Sequence, residues 1–129
     1  MITAEVKGIF TSEMDSLESY TPKDPQNFCV VVRAMVGPRG AVGEESFDIN
    51  VCTPEWLRDR VEREGFLIGT HRLFVAVYDS HRIKDLIRRF IERYSGDSWT
   101  EVAQKISRIA QWEFEDYKSA SATRPDDKS

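Results

Sequence analysis

The chain has 129 residues, enough for one domain with its own core and too few for two. With 40% hydrophobic and 31% charged residues, its composition is that of a soluble globular chain that folds without disulfides or metal. A net charge of −4 and a pI near 5.2 argue against a nucleic-acid phosphate backbone or an anionic membrane as the main partner, and permit a basic one.

Residues 2–10 alternate, with Ile2, Ala4 and Val6 on one side and Thr3, Glu5 and Lys7 on the other, the period of a half-buried strand. Residues 11–26 lack periodicity, and Pro22 and Pro25 remove two backbone donors, so a long surface loop is expected. Residues 27–36 are apolar on nearly both faces, which predicts a central strand. Gly37, Gly40 and Gly43 around Pro38 then make a wide hairpin loop. Residues 45–52 alternate again. Phe47, Ile49 and Val51 face one way, and Asp48, Asn50 and Cys52 face the other.

A first helix is punctuated by Thr53 as N-cap, Pro54 at the first helical position and Gly65 after the last turn, with Phe66 placed to pack back on it. Leu73 to Tyr78 read as a fourth strand. The second helix carries Ile83, Leu86, Ile87, Phe90, Ile91 and Tyr94 as one apolar stripe, with basic residues outside and Gly96 at its end. Ser98 and Glu101 form a capping box for a third helix. Its inward residues are Val102, Ala103, Ile106, Ile109 and Ala110, and it runs into residues 111–117. The order β-β-β-α-β-α-α predicts a two-layer α+β domain, residues 1–118. It has a mainly antiparallel sheet of about four strands and helices on one face. The partner and direction of the fourth strand stay open. Residues 119–129 are small, polar and aperiodic, and are expected to form a disordered tail.

No basic segment followed by an apolar run opens the chain, and no apolar run approaches the ~20 residues of a membrane helix, so a cytoplasmic chain is expected. Cys29 and Cys52 suggest no disulfide framework and are expected as reduced thiols. They do not combine with His71 or His81 at metal-ligand spacing, so neither metal nor cofactor is expected. The glycines lie between two strands rather than before a helix, which speaks against a phosphate loop. Glu44, Glu45, Asp48 and Asn50 cluster on and beside the third strand, and Glu113, Glu115 and Asp116 cluster near the end of the chain. Paired carboxylates perform acid–base chemistry only where burial splits their pKa values, and no partner base accompanies these. They read either as a solvated face or as a surface for a basic partner. Charge supports an uneven surface: residues 1–55 carry net −5, residues 56–95 net +3.

The run Gly37-Pro-Arg-Gly40, followed by Glu44-Glu-Ser-Phe-Asp48-Ile-Asn-Val-Cys-Thr-Pro-Glu-Trp-Leu57, resembles the centre of the immunity protein 8 family of bacterial polymorphic toxin systems. The segments Gly69-Thr-His-Arg-Leu and Tyr94-Ser-Gly-Asp-Ser-Trp99 fit it. Ile109-Ala-Gln-Trp-Glu-Phe-Glu-Asp-Tyr117 resembles its end. The resemblance covers residues 1–118. It implies a small cytoplasmic protein that binds and neutralises a secreted toxin made by the same cell, with no catalytic residues. On the residues themselves, Glu44, Glu45, Asp48 and Asn50 are the first candidates for toxin contact, and Glu113, Glu115 and Asp116 the second. The alternative is a small enzyme or ligand-binding domain with a site between sheet and helices, using Cys52, His71 or Asp48. A third reading pairs two copies of the chain through an exposed edge strand.

Overall fold

Residues 1–114 are described by a computed structural model, and the expected tail at 119–129 lies outside them. Three long strands form the body of a curled sheet: β1 (Ile2–Thr11), β2 (Cys29–Pro38) and β3 (Glu45–Cys52), each antiparallel to the next. Helix α1 (Pro54–Glu64) then carries the chain to β4 (Arg72–Phe74), which runs parallel to β3. A helical crossover returns the chain in the same direction, which settles the fourth strand's orientation. After α2 (Ser80–Ile91), the short β5 (Ser95–Gly96) pairs with the start of β1. After α3 (Trp99–Ile106), β6 (Gln111–Trp112) pairs with Phe47 and Asp48 of β3. The outer edge of β3 is thus shared by β4 and β6.

The α+β class is as expected, with six strands rather than four and one parallel pair among them. The expected fourth strand, Leu73 to Tyr78, pairs only as far as Phe74, with one further bond from the Val75 N–H to the Cys52 carbonyl. β3 ends at Cys52, so no partner remains beyond that point.

The termini of α1 and the start of α3 follow their sequence signals, while α2 ends at Ile91 rather than at Gly96, which pairs in β5. Thr53 Oγ1 accepts the Trp56 N–H, Pro54 opens α1, and Gly65 closes it at φ 89°, donating to the Val61 carbonyl at 2.6 Å. Phe66 does not fold back on that turn and is 69% exposed. Ser98 Oγ accepts the Glu101 N–H at 3.2 Å, while the Glu101 carboxylate accepts the Asp97 N–H at 3.1 Å.

The third helix stops at Ile106 instead of continuing to residue 117. Trp112 decides this. In the extended chain it turns to the core and stacks on Phe47, with ring centroids 6.3 Å apart and planes 8° apart. In α2 the stripe is narrower than its periodicity suggests. Ile83, Ile87 and Ile91 are buried, while Phe90 is exposed beside Arg89 and Arg93.

The core lies between the sheet and the pair α2–α3. Val32, Ala34 and Val36 of β2 meet Phe47, Ile49 and Val51 of β3, with Ile83, Ile87, Ile91, Val102 and Ile106 above them. β1 contributes Ala4 and Val6, then shifts phase at a bulge between Val6 and Gly8. Beyond the bulge Ile9 and Thr11 turn inward and Phe10 turns outward. Glu92 and Arg88 of α2 bond the Val6 N–H and carbonyl at 2.8 and 3.2 Å, which closes this edge of the sheet. The long loop after β1 is not wholly superficial: Leu17 is fully buried and its carbonyl accepts the Tyr78 hydroxyl at 2.6 Å.

Candidate functional site

Strand alternation turns one face of the sheet away from the core and from α2 and α3. Short of the Cys29–Cys52 pair at one end, its side chains are Phe10 of β1; Val31, Arg33 and Met35 of β2; Ser46, Asp48 and Asn50 of β3; and Gln111 of β6. All but the exposed Gln111 are half-buried. Phe10 lies over Gly8: a Cβ there would meet its ring at 3.3 Å and Met35 Cβ at 4.0 Å.

At the centre Arg33 Nε and Nη2 donate to Asp48 Oδ1 and Oδ2 at 2.8 and 3.0 Å, a two-pronged pair. These hydrogen bonds, then the charges of Asp48 and Glu113, raise the Arg33 pKa above its ordinary value. Beside the pair, Asp48, Asn50, Thr70, His71 and Gln111 line an open hollow of about 480 Å³. His71 holds φ 59° and its Nε2 lies 2.8 Å from the Ser107 carbonyl. A carbonyl only accepts, so Nε2 donates in this bond.

The expected contact residues separate. Asp48 and Asn50 share the open face, as their alternation requires. Glu113 joins them from the other end of the chain: its carboxylate accepts the Ser46 N–H and its own N–H bonds the Ser46 carbonyl. Glu44 is exposed at the end of the hairpin loop. Glu45 does not lie on this face. One residue out of phase with Asp48, it accepts the indole N–H groups of Trp99 and Trp112 at 2.8 and 2.9 Å. Glu115 and Asp116 lie outside the described residues.

The hairpin loop is folded close to the sheet. Lys7 Nζ donates to the carbonyls of Ala41 and Gly43, the latter at 3.0 Å. A Cβ on Gly37 would stand 1.9 Å from the Gly43 carbonyl oxygen, so the backbone itself fills that space.

Arg33, Phe10 and Met35 were not expected at the site. Arg33 carried a signal, as the one charge within an apolar strand. Phe10 carried none, because the bulge reverses its side.

The hollow between sheet and helices, about 220 Å³, is lined by Arg72 and by apolar side chains including Ile49, Leu73, Leu86, Phe90 and Ile109. Cys52, His71 and Asp48, the residues of the alternative enzyme or ligand-binding reading, do not line it. On the open face Asp48 and His71 line the same hollow, and both Asp48 oxygens accept from Arg33. Among the described residues no group of three or more His, Cys, Asp or Glu is placed to hold a metal ion. No helix among them is long and apolar enough to cross a membrane.

The family model described as Immunity protein 8 matches residues 4–117. No curated protein and no solved structure matches the chain.

Proposed function

The chain belongs to the immunity protein 8 family, and from that premise we propose that it binds and neutralises a cognate bacterial toxin domain through the open face of its sheet. The observation that carries the choice of face is its position opposite the core: three long strands turn half-buried polar and apolar side chains away from α2 and α3. Such a face offers Phe10 and Met35 as apolar anchors and the Arg33–Asp48 pair as a fixed polar centre, with a polar rim around them. A standard inhibitor interface buries on the order of 1,600 Å² in total, which a chain of this size can supply.

Glu44 and Glu113 bias one end of the face toward negative charge. A basic groove on the toxin, as in a nuclease, is the complementary surface, and opposite charge speeds encounter. Glu115 and Asp116 extend this acidic end in sequence. Glu45 supports the face from behind through the two indoles and does not touch the partner. Inhibition by binding needs no chemistry from this chain, and the protein acts in the cytoplasm of the cell that makes the toxin.

The test is growth protection. The toxin domain encoded beside this chain is expressed with the wild-type protein, with Asp48→Lys plus Glu113→Lys, or with Glu62→Lys on exposed α1 as the control. Wild type and the α1 variant protect and co-purify with the toxin. The open-face variant does neither, although it stays folded. Full protection by the open-face variant rejects this face. Failure of the wild type to co-purify or to rescue growth rejects the immunity reading.

A further inference from the structure

The two cysteines meet at one end of the same open face. Cys29 stands opposite Cys52 in the β2–β3 register. The next bond along the ladder, from the Thr53 N–H to the Phe28 carbonyl at 3.2 Å, lies just outside them. That pattern makes Cys29 and Cys52 a non-hydrogen-bonded pair, the position where facing Cα atoms approach to about 4.5 Å and side chains come closest. A disulfide spans Cα separations of roughly 4.4–6.8 Å, so this site accepts one without moving the strands. The two thiols are free, and their Sγ atoms are 2.7 Å apart.

The pair is asymmetric. Cys52 is fully buried, whereas Cys29 is half-buried and reachable. The hydrogen bond from Cys52, and then the positive charges of Arg72 and Arg60, lower the Cys29 pKa. The same bond and burial push Cys52 up. Arg72, whose Nε is buried with no hydrogen-bond partner, is the cation whose charge acts on both sulfurs. An accessible, cation-flanked thiol of lowered pKa next to a second thiol is the arrangement of a reactive and a resolving cysteine.

We propose that Cys29 and Cys52 are a peroxide-sensitive dithiol, in which Cys29 is oxidised first and a disulfide then closes onto Cys52. The Cys29 sulfur attacks one oxygen of hydrogen peroxide, the O–O bond breaks, and the leaving hydroxide takes the thiol proton to depart as water. Cys29 is then a sulfenic acid. The Cys52 sulfur attacks the Cys29 sulfur, the S–S bond forms as the S–O bond breaks, and a second water leaves with the Cys52 proton. Two thiols lose two electrons, and the peroxide is reduced to two waters. A thiol reductant reopens the bridge by exchange. The pair stands on the fold alone and is independent of the toxin-binding reading.

The experiment treats the reduced full chain with hydrogen peroxide and follows intact mass and free thiols. The folded monomer loses two hydrogens and both thiols, and dithiothreitol restores them. The rate exceeds that of the urea-unfolded chain by about tenfold or more, because only the fold presents the cation-flanked thiol and its partner together. Cys52→Ser stops at a sulfenic acid that dimedone traps on residue 29, while Cys29→Ser leaves Cys52 unreacted on that timescale. The proposal is overturned if the folded wild type keeps both thiols, if it oxidises no faster than the unfolded chain, or if oxidation yields only intermolecular dimers. The wild-type comparison decides the matter even where a serine variant does not fold.

Discussion

Replacing Glu45 separates support of the face from contact with a partner. Its carboxylate accepts the Trp99 and Trp112 indoles at 2.8 and 2.9 Å and so ties the start of α3 and β6 to the start of β3. Trp112 is 7% exposed, so in Glu45→Ala its N–H loses the acceptor in a nearly dry site, while the half-buried Trp99 reaches water more readily. A buried donor left unpaired costs about 1–3 kcal/mol, which puts Glu45→Ala at about 2–3 kcal/mol. For a domain of this size that is a fall of roughly 10 °C in Tm. Glu45→Gln keeps a side-chain oxygen as acceptor and should cost less than about 1 kcal/mol. Urea unfolding followed by tryptophan fluorescence measures both, with the m-value unchanged if only stability moves. The glutamine variant retains toxin protection. An alanine variant within about 0.5 kcal/mol of wild type, a change typical of a neutral surface position, refutes the structural role. So does a glutamine variant as damaging as alanine.

Gly37→Ala places a Cβ against the Gly43 carbonyl and must displace the hairpin loop, at a cost of about 1–3 kcal/mol in the same urea assay. Gly40→Ala meets no atom within 4 Å and pays only for φ +76°, about 1 kcal/mol, so it is the milder change. Burial, then the nearby Tyr20 and Glu18, push the Tyr78 hydroxyl up to about 12 from 10.0. The folded state therefore favours the protonated phenol. Its stabilisation is complete below pH 10 and is lost as pH rises toward 12. Melting temperature should fall over that window in the wild type and fall less in Tyr78→Phe, which is weaker at neutral pH because it lacks the bond to the Leu17 carbonyl.

Much of the fold is written locally. Thr53, Pro54 and Gly65 bound α1, and Ser98 with Glu101 opens α3, because capping depends on residues within one turn. The face carrying Asp48 and Asn50 also follows from period two within β3. What was hidden is non-local. The bulge after Val6 reverses Phe10, and only the register with β2 reveals it. β6 is two residues long, and its strand character comes from Phe47 and Glu45, more than sixty residues away. Phe90 fits the helical stripe by spacing, yet it stays exposed beneath Arg89 and Arg93. Glu45 and Asp48 look like one acidic cluster in sequence, and alternation sends them to opposite layers. Cys29 and Cys52 give no spacing signal, because register alone brings them together.

The central claim, that the uncovered face of the sheet holds the toxin, is tested most directly by calorimetric titration of the toxin domain with Ser46→Arg plus Asn50→Arg. Both positions point out of the open face and neither belongs to the Arg33–Asp48 pair. Two bulky charges at an interface centre should weaken Kd by at least about 100-fold, or about 2.7 kcal/mol. Arg89→Glu on the exposed side of α2 should change it by less than about threefold, well under 1 kcal/mol. Unchanged affinity in the open-face variant, with the loss appearing in the α2 variant instead, would contradict the claim and move the interface to the helical layer.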